Sequence, residues 1–236
     1  MTRRRWIADE VSGNRAALSG EHAEHLVRVL RAQVGQEFDI ASGATVRSGR
    51  IVSVHQDRVE FELGEEIPAT PATNIVLVLS VFKFDRMEWA IEKCTELGIA
   101  RIVPLLARRT DAHLATAAAK RVERWRKIVL HAAEQSRRTA PPEIGPPLKL
   151  KQALGLTADT RIVLAETELE TSLRDAIPAS SRELLLAIGP EGGWTEEEMQ
   201  EFQAAGWTSA SLGRTILRAE TAAIAATAVA TSILAA

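Results

Sequence analysis

Five consecutive apolar residues, Leu184-Leu185-Leu186-Ala187-Ile188, run straight into Gly189-Pro190-Glu191-Gly192-Gly193. A charge-free run this short, closed by glycine and proline, reads as a buried strand that empties into a loop. In open α/β sheets, ligands bind beyond the carboxyl ends of the strands. Glycine lets backbone amides and carbonyls come close to a ligand, because no Cβ stands in the way. The loop after Ile188 is therefore the first candidate site. A second stretch, Leu212-Gly213-Arg214-Thr215-Ile216-Leu217-Arg218-Ala219-Glu220-Thr221-Ala222, leads into an alanine-rich tail without charge. That tail is shorter than the ~20 residues a membrane-spanning helix needs, so it reads as a packed C-terminal helix.

The rest of the chain supports a layered reading. Asn74 to Val81 is another continuous apolar run, typical of a strand covered on both faces. Asp85 to Leu97 carries Met87, Ile91, Cys94 and Leu97 at helical spacing, with Gly98 as its stop. Arg101 to Leu106 and Arg161 to Ala165 read as strands, and Val122 to Ser136 as the core of a basic helix. Thr195-Glu196-Glu197-Glu198 is a capping box that opens a further helix, ending near Gly206. Strands alternating with helices from residue 72 onward predict a parallel α/β domain. Residues 1 to about 68 instead hold short strand-like runs: Arg4 to Ala8, Glu37 to Ala41, Thr45 to Val54 and Arg58 to Leu63. One helix, from about Ser19 as N-cap to Ala32, interrupts them. The prolines of Ile67-Pro68-Ala69-Thr70-Pro71-Ala72 mark the boundary.

Composition narrows the functional classes. A 46% hydrophobic, 25% charged chain is ordinary globular material. The single cysteine, Cys94, excludes an internal disulfide framework and fits a reducing, cytoplasmic compartment. No apolar segment follows the basic start Met1-Thr2-Arg3-Arg4-Arg5-Trp6, so no secretory signal is expected. The net charge of −2 conceals an asymmetry. Residues 101–151 hold twelve Lys and Arg against four Asp and Glu, whereas residues 152–236 hold five against twelve. A basic middle beside an acidic end is the kind of footprint used for nucleic acid. The glycine loop is neither a dinucleotide fingerprint nor a P-loop. The five histidines lack metal-ligand spacing, so no metal is expected.

Four motifs, in this order along one chain, carry a family resemblance. They are His25-Leu26-Val27-Arg28-Val29-Leu30-Arg31, Lys93-Cys94-Thr95-Glu96-Leu97-Gly98, Glu134-Gln135-Ser136-Arg137-Arg138, and the late pair described above. Together they resemble the SPOUT-superfamily RNA methyltransferases, most nearly the family that methylates N3 of a uridine in small-subunit (16S) ribosomal RNA. One departure is visible: that family usually has Pro-Arg after Leu-Gly, where this chain has Arg214-Thr215.

The resemblance implies a fold and a chemistry. The expected fold is a PUA-like RNA-binding β-barrel over residues 1–70, then a trefoil-knotted α/β methyltransferase domain over 71–236. The implied cofactor is S-adenosylmethionine. Leu164 and Glu166 would hold it from one strand end, and Ile188, Gly189, Gly192 and Gly193 from the first loop. Leu212, Gly213, Ile216, Leu217, Arg218 and Ala222 would complete its site. Arg218 is the catalytic candidate, its cation placed to stabilise charge developing on a uracil; the plainer alternative is a salt bridge to Glu220 or Glu191. RNA contacts are expected at His25, Arg28, Arg31, Lys93, Arg108, Arg137 and Arg138. The superfamily also implies a homodimer bound to the small ribosomal subunit, and the short tail argues against membrane association. Two rivals stand beside this reading: a methyltransferase for another RNA such as transfer RNA, and an RNA-binding protein without catalysis.

Overall fold

The structure, a computed structural model, describes residues 4–69 and 73–234. The chain divides into two compact units, Met1–Pro71 with Ala133–Pro141, and Ala72–Ala132 with Pro142–Ala236. The centre of the expected boundary, residues 70–72, lies outside the described residues.

The first unit is built on six strands: β1 (Arg5–Ile7), β2 (Glu10–Ser12), β3 (Arg15–Ser19), β4 (Glu37–Ser42), β5 (Thr45–Val54) and β6 (Arg58–Ile67). They lie in the order β1-β4-β5-β6-β3-β2, with β1 parallel to β4 and every other pair antiparallel. Two register shifts interrupt the β5–β6 pairing, near Gly49 and near Ser53. Such shifts bend a strand and increase its twist, so the sheet curls. Trp6, Leu18, Leu26, Ile51 and Phe61 fill its inner side. Gly49 is required there, because a Cβ would run into Cγ1 of Ile40 on the paired strand.

The helix of this unit, α1, spans only Glu21–Arg28, shorter than the sequence predicts. Ser19 is the last residue of β3, opposite Arg58, and Gly20 at φ 57° makes the turn into the helix. At the other end Arg31 adopts φ 52°, and the Ala32 amide bonds back to the Leu26 carbonyl. This is a left-handed C-terminal closure, which a non-glycine residue rarely supplies. Arg28 and Arg31 therefore do not share a helix face. Val29 to Ala32 belong to the closing turn and not to a further helical turn.

The second unit opens with β7 (Ile75–Ser80), α2 (Phe84–Glu96), β8 (Arg101–Leu106) and α3 (Ala112–Gln135), whose last residues group with the first unit. There follow β9 (Glu143–Ile144), β10 (Leu148–Lys149), α4 (Leu150–Leu154), β11 (Thr160–Leu164) and α5 (Leu173–Ala176). It closes with β12 (Leu184–Ile188), α6 (Glu196–Ala204), β13 (Thr208–Ala210) and α7 (Ala219–Leu234). The strands form one sheet in the order β10-β8-β7-β12-β11-β13, with β9 also on β8, and every pair is parallel.

Alternate residues of each strand serve opposite layers. Ile75, Leu77 and Leu79 of β7 pack with Leu184, Leu186 and Ile188 of β12 under α2, α3 and α7. Val76 and Val78 join Leu185, Ala187 and Phe202 in the opposite layer, with α4 and α6. That two-sided burial is why β7 and β12 are apolar without alternation. The tail helix α7 is made of small residues where it is buried: Ala223, Ala226 and Ala230 are fully covered. The Thr227 hydroxyl lies 3.4 Å from the Cys94 sulfur, and the Thr231 hydroxyl donates to the Leu97 carbonyl (3.2 Å), so α7 lies directly on α2. Burial pushes the Cys94 thiol up to about 12, which makes it a core side chain and no nucleophile. Among the described residues no helix is long and apolar enough to cross a membrane.

The capping box at α6 is realised: the Thr195 hydroxyl accepts from the Glu198 amide and the Glu198 carboxylate accepts from the Thr195 amide. Glu198 does more than cap. It is completely buried, and its other oxygen accepts from the Arg108 amide at 2.7 Å, tying α6 to the loop after β8. Glu198→Ala leaves two backbone donors without their acceptor. A loss of roughly 2–6 kcal/mol is expected, at about 1–3 kcal/mol for each donor left unsatisfied. Thermal unfolding should show the midpoint falling by several degrees, while Glu197→Ala, on the exposed side of the same turn, should leave it nearly unchanged.

Candidate functional site

In a parallel sheet all carboxyl ends lie along one edge. Because β12, β11 and β13 are neighbours, the segments that follow them emerge side by side. These are residues 165–172, 189–195 and 211–218. Backbone bonds tie two of them together: Ser211 donates to the Thr171 carbonyl and Leu173 to the Ser211 carbonyl, at 2.9 and 2.8 Å. Trp194, which follows the glycine loop, donates its indole N–H to the Leu164 carbonyl at 2.9 Å and packs its ring edge-on against Phe202. The three segments enclose a cavity of about 600 Å³.

Eleven of the twelve residues expected around a cofactor line this cavity. Leu164 and Glu166 come from the end of β11, and Ile188, Gly189 and Gly193 from the end of β12. Leu212, Gly213, Ile216, Leu217, Arg218 and Ala222 come from the last segment and the first turn of α7. Gly192 is the exception. Its carbonyl accepts from Arg109 Nη1 at 2.7 Å, and a Cβ there would meet the Arg109 side chain at 3.4 Å. A glycine-rich string does not reveal which of its residues faces inward. Here Gly193 does, at φ 69°, with any Cβ held 3.2 Å from Glu166 Oε1. At Gly189 a Cβ would meet the Trp194 indole nitrogen at the same distance.

The charges around the cavity form a definite pattern. Arg86, in the first turn of α2, donates to Glu191 Oε1 at 2.9 Å and stands 3.8 Å from Glu220 Oε1. Glu220 is buried in the first turn of α7, where an acidic group suits the helix dipole. Its second carboxylate oxygen has no hydrogen-bond partner among the described residues. Arg218 is exposed, and its carbonyl accepts the first helical bond of α7, from the Ala222 amide at 2.8 Å. Glu191 and Glu220, the two carboxylates that the sequence offers Arg218, both face Arg86 instead. Glu166 and Glu196 also line the cavity. Sequence reasoning missed Arg86 and Trp194. Trp194 directly follows the glycines, but nothing local marks Arg86, which lies 105 residues from Glu191.

The residues expected to meet RNA fall into two sets. His25, Arg28 and Arg31 are exposed on the first unit, with His25 leaning on Trp6 and Arg28 3.4 Å from Glu24. The others are engaged. Lys93 lies within 2.8 Å of Glu92 and Glu96, which raise its pKa. Arg108 binds Glu201 at 2.8 Å. Within the first unit Arg137, at φ 61°, donates to the buried Asp39 at 2.6 Å, and its carbonyl accepts from Arg5. Glu134 accepts from the Ile7 amide at 3.1 Å, and burial raises its pKa in spite of that bond. Arg138 is half-buried, which lowers its pKa to about 10. No cluster of three or more potential metal ligands occurs among the described residues.

This chain is similar to known proteins in sequence and in fold. A family model described as an RNA methyltransferase domain matches residues 69–231. The ribosomal RNA small subunit methyltransferase E of Bacillus subtilis is 33% identical over 87% of this chain and 85% of its own length. The protein of that name from Synechocystis is 34% identical over 87% of this chain and 69% of its own. In three dimensions, the ribosomal RNA small subunit methyltransferase E of Neisseria gonorrhoeae, crystallised with S-adenosyl methionine, superposes with a TM-score of 0.88. It is 31% identical, with 98% of each chain covered. With two-thirds of its length inside the family model and relatives of this closeness spanning both units, the chain belongs to the RNA methyltransferase domain family and, within it, to the ribosomal RNA small subunit methyltransferase E proteins.

Proposed function

We propose that this protein is an S-adenosylmethionine-dependent methyltransferase that modifies N3 of a uridine in 16S rRNA of the small ribosomal subunit. One observation carries the reading. The cavity lies at the carboxyl edge of three adjacent parallel strands, in a chain that aligns over nearly its whole length with a relative crystallised with that cofactor. The residues present fit the cofactor. Pockets of roughly 300–1,000 Å³ suit ligands of its size. Leu212, Ile216 and Leu217 offer apolar and backbone groups for a flat base, and Glu166 and Glu196 offer negative charge for its cationic groups. Gly189 and Gly193 stand where a side chain would crowd Trp194 and Glu166. When bound, S-adenosylmethionine supplies an electrophilic methyl group.

The chain's own work is positioning and charge stabilisation. In-line displacement gains most from holding donor and acceptor in register, which three loops anchored to a rigid sheet edge, two of them bonded to each other, can do. As the uracil N3 loses its proton, negative charge spreads onto the flanking carbonyl oxygens. Arg218, exposed at the cavity and not engaged by Glu191 or Glu220, is the cation proposed to meet that charge.

The wider assignment follows the same reading. We assign residues 1–70 to a PUA-like barrel that holds RNA, and residues 71–236 to a trefoil-knotted catalytic domain. The curled sheet supports the first. The return of the chain from edge strand β13 to place α7 on α2 and β7 supports the second. A homodimer is proposed from α7, which has no charge after Glu220 yet leaves Ile224, Val229 and Ile233 only partly buried, and from Trp89, half-exposed on α2. The buried, lone cysteine and the ribosomal substrate support a cytoplasmic location. His25, Arg28 and Arg31 are the proposed phosphate contacts of the barrel. For Lys93, Arg108, Arg137 and Arg138 the same role requires that their present partners share them with phosphate.

Three measurements test this. Calorimetry on Gly193→Val should show S-adenosylmethionine affinity falling about thirtyfold, a loss near 2 kcal/mol, with the circular dichroism of the fold retained; unchanged affinity would place the cofactor elsewhere. Arg28→Ala with Arg31→Ala should weaken RNA binding and shallow its salt dependence by a slope of roughly 0.7–0.9 per lost phosphate contact, leaving cofactor affinity alone. Tritium transferred from labelled cofactor to unmethylated small subunits should appear in 3-methyluridine. Arg218→Ala should cut that turnover about a hundredfold while cofactor affinity changes little. Label in a ribose methyl or in methylguanosine would refute the proposed acceptor.

A further inference from the structure

Arg86 lies at the junction of three segments that are far apart in sequence. It projects from the first turn of α2, reaches Glu191 in the glycine loop after β12, and faces Glu220 in the first turn of α7. It also lines the cavity, as do Glu191 and Arg218. We propose that Arg86 is a positioning residue, which occupies both carboxylates and so keeps the Arg218 guanidinium available for the acceptor base. The inference rests on the role proposed above for Arg218.

The accounting of charge leads to this assignment. The cavity wall places one exposed arginine among several carboxylates, and an arginine on a mobile side chain pairs with whichever carboxylate it can reach. Glu191 shares the wall with Arg218, and Glu220 follows it by two residues. Captured by either one, the guanidinium would be neutralised, and its donors would be spent before an acceptor arrived. Arg86 prevents that with a fork of donors on a side chain fixed at a helix start, a geometry that lysine lacks. Its longer contact, 3.8 Å to Glu220, and the partnerless second oxygen of Glu220 show that the pairing is incomplete on that side. Glu220 is therefore the carboxylate that most needs Arg86.

The test is a set of variants assayed on unmethylated small ribosomal subunits. Arg86→Gln removes the cation but leaves Glu220 buried and unpaired, and so risks the fold; Arg86→Lys keeps a charge at the position without the fork. For Arg86→Lys we expect kcat to fall about tenfold, with the Kd for S-adenosylmethionine within about threefold of wild type. Adding Glu191→Gln, which removes one of the two competing carboxylates and leaves Glu220, should recover about threefold of the lost kcat. A merely structural role predicts the reverse: cofactor affinity and melting temperature would fall with kcat, and Glu191→Gln would rescue nothing. That result would overturn the proposal. So would an unimpaired Arg86→Lys beside an impaired Arg218→Ala. If Arg218→Ala itself turned over normally, the reading of Arg218 would fail, and this inference with it.

Discussion

Burial of β7 and β12 on both faces is the constraint from which the rest of the second unit follows. Neither strand carries a charged side chain, and Ile75, Leu77, Leu184 and Leu186 are completely removed from water. At about 25 cal/mol per Å² of apolar surface, such strands must be sandwiched between layers of helix. Short connections with crossover helices then make the sheet parallel. A parallel sheet has a chemically uneven pair of edges, since every strand delivers its following loop to the same side. The order β12-β11-β13 gathers three such loops, and the cavity is the space among them.

Against that apolar frame, the buried charges divide into satisfied and unsatisfied. Glu198 has backbone donors on both oxygens and so behaves as a structural bolt between α6 and the loop after β8. Asp39 in the first unit is likewise engaged, by Arg137 and by Arg5 at 3.7 Å. Glu220 is different: one oxygen faces Arg86 at a distance and the other has no partner. A buried carboxylate in that condition costs free energy unless something else holds it. It stands beside Arg86, which lines the cavity, so function and stability make different demands on neighbouring side chains.

The motif near the end of α3 shows how resemblance and structure answer different questions. Glu134 and Arg137 belong to a string that resembles one found in RNA methyltransferases. In the folded protein Glu134 holds the Ile7 amide and Arg137 holds Asp39, so both fasten residues 133–141 within the first unit. A residue pair retained for packing and one retained for RNA are indistinguishable as letters. Only their partners separate them.

What the sequence determined by itself was whatever depends on near neighbours. The strand Leu184–Ile188, the capping box of Thr195 and Glu198, and the parallel α/β order all follow from local periodicity and turn chemistry. The cluster of cavity residues was legible too, through motifs at the ends of those strands. The early closure of α1 was not, because Arg31 takes a left-handed conformation that composition gives no reason to expect. Nor was the outward turn of Gly192, which depends on an arginine 83 residues away. The pairing of Arg86 with Glu191 and Glu220 was decided by the tertiary structure alone. Ion pairs act through space over a few ångströms, and only the folded sheet brings α2, the glycine loop and α7 within that range.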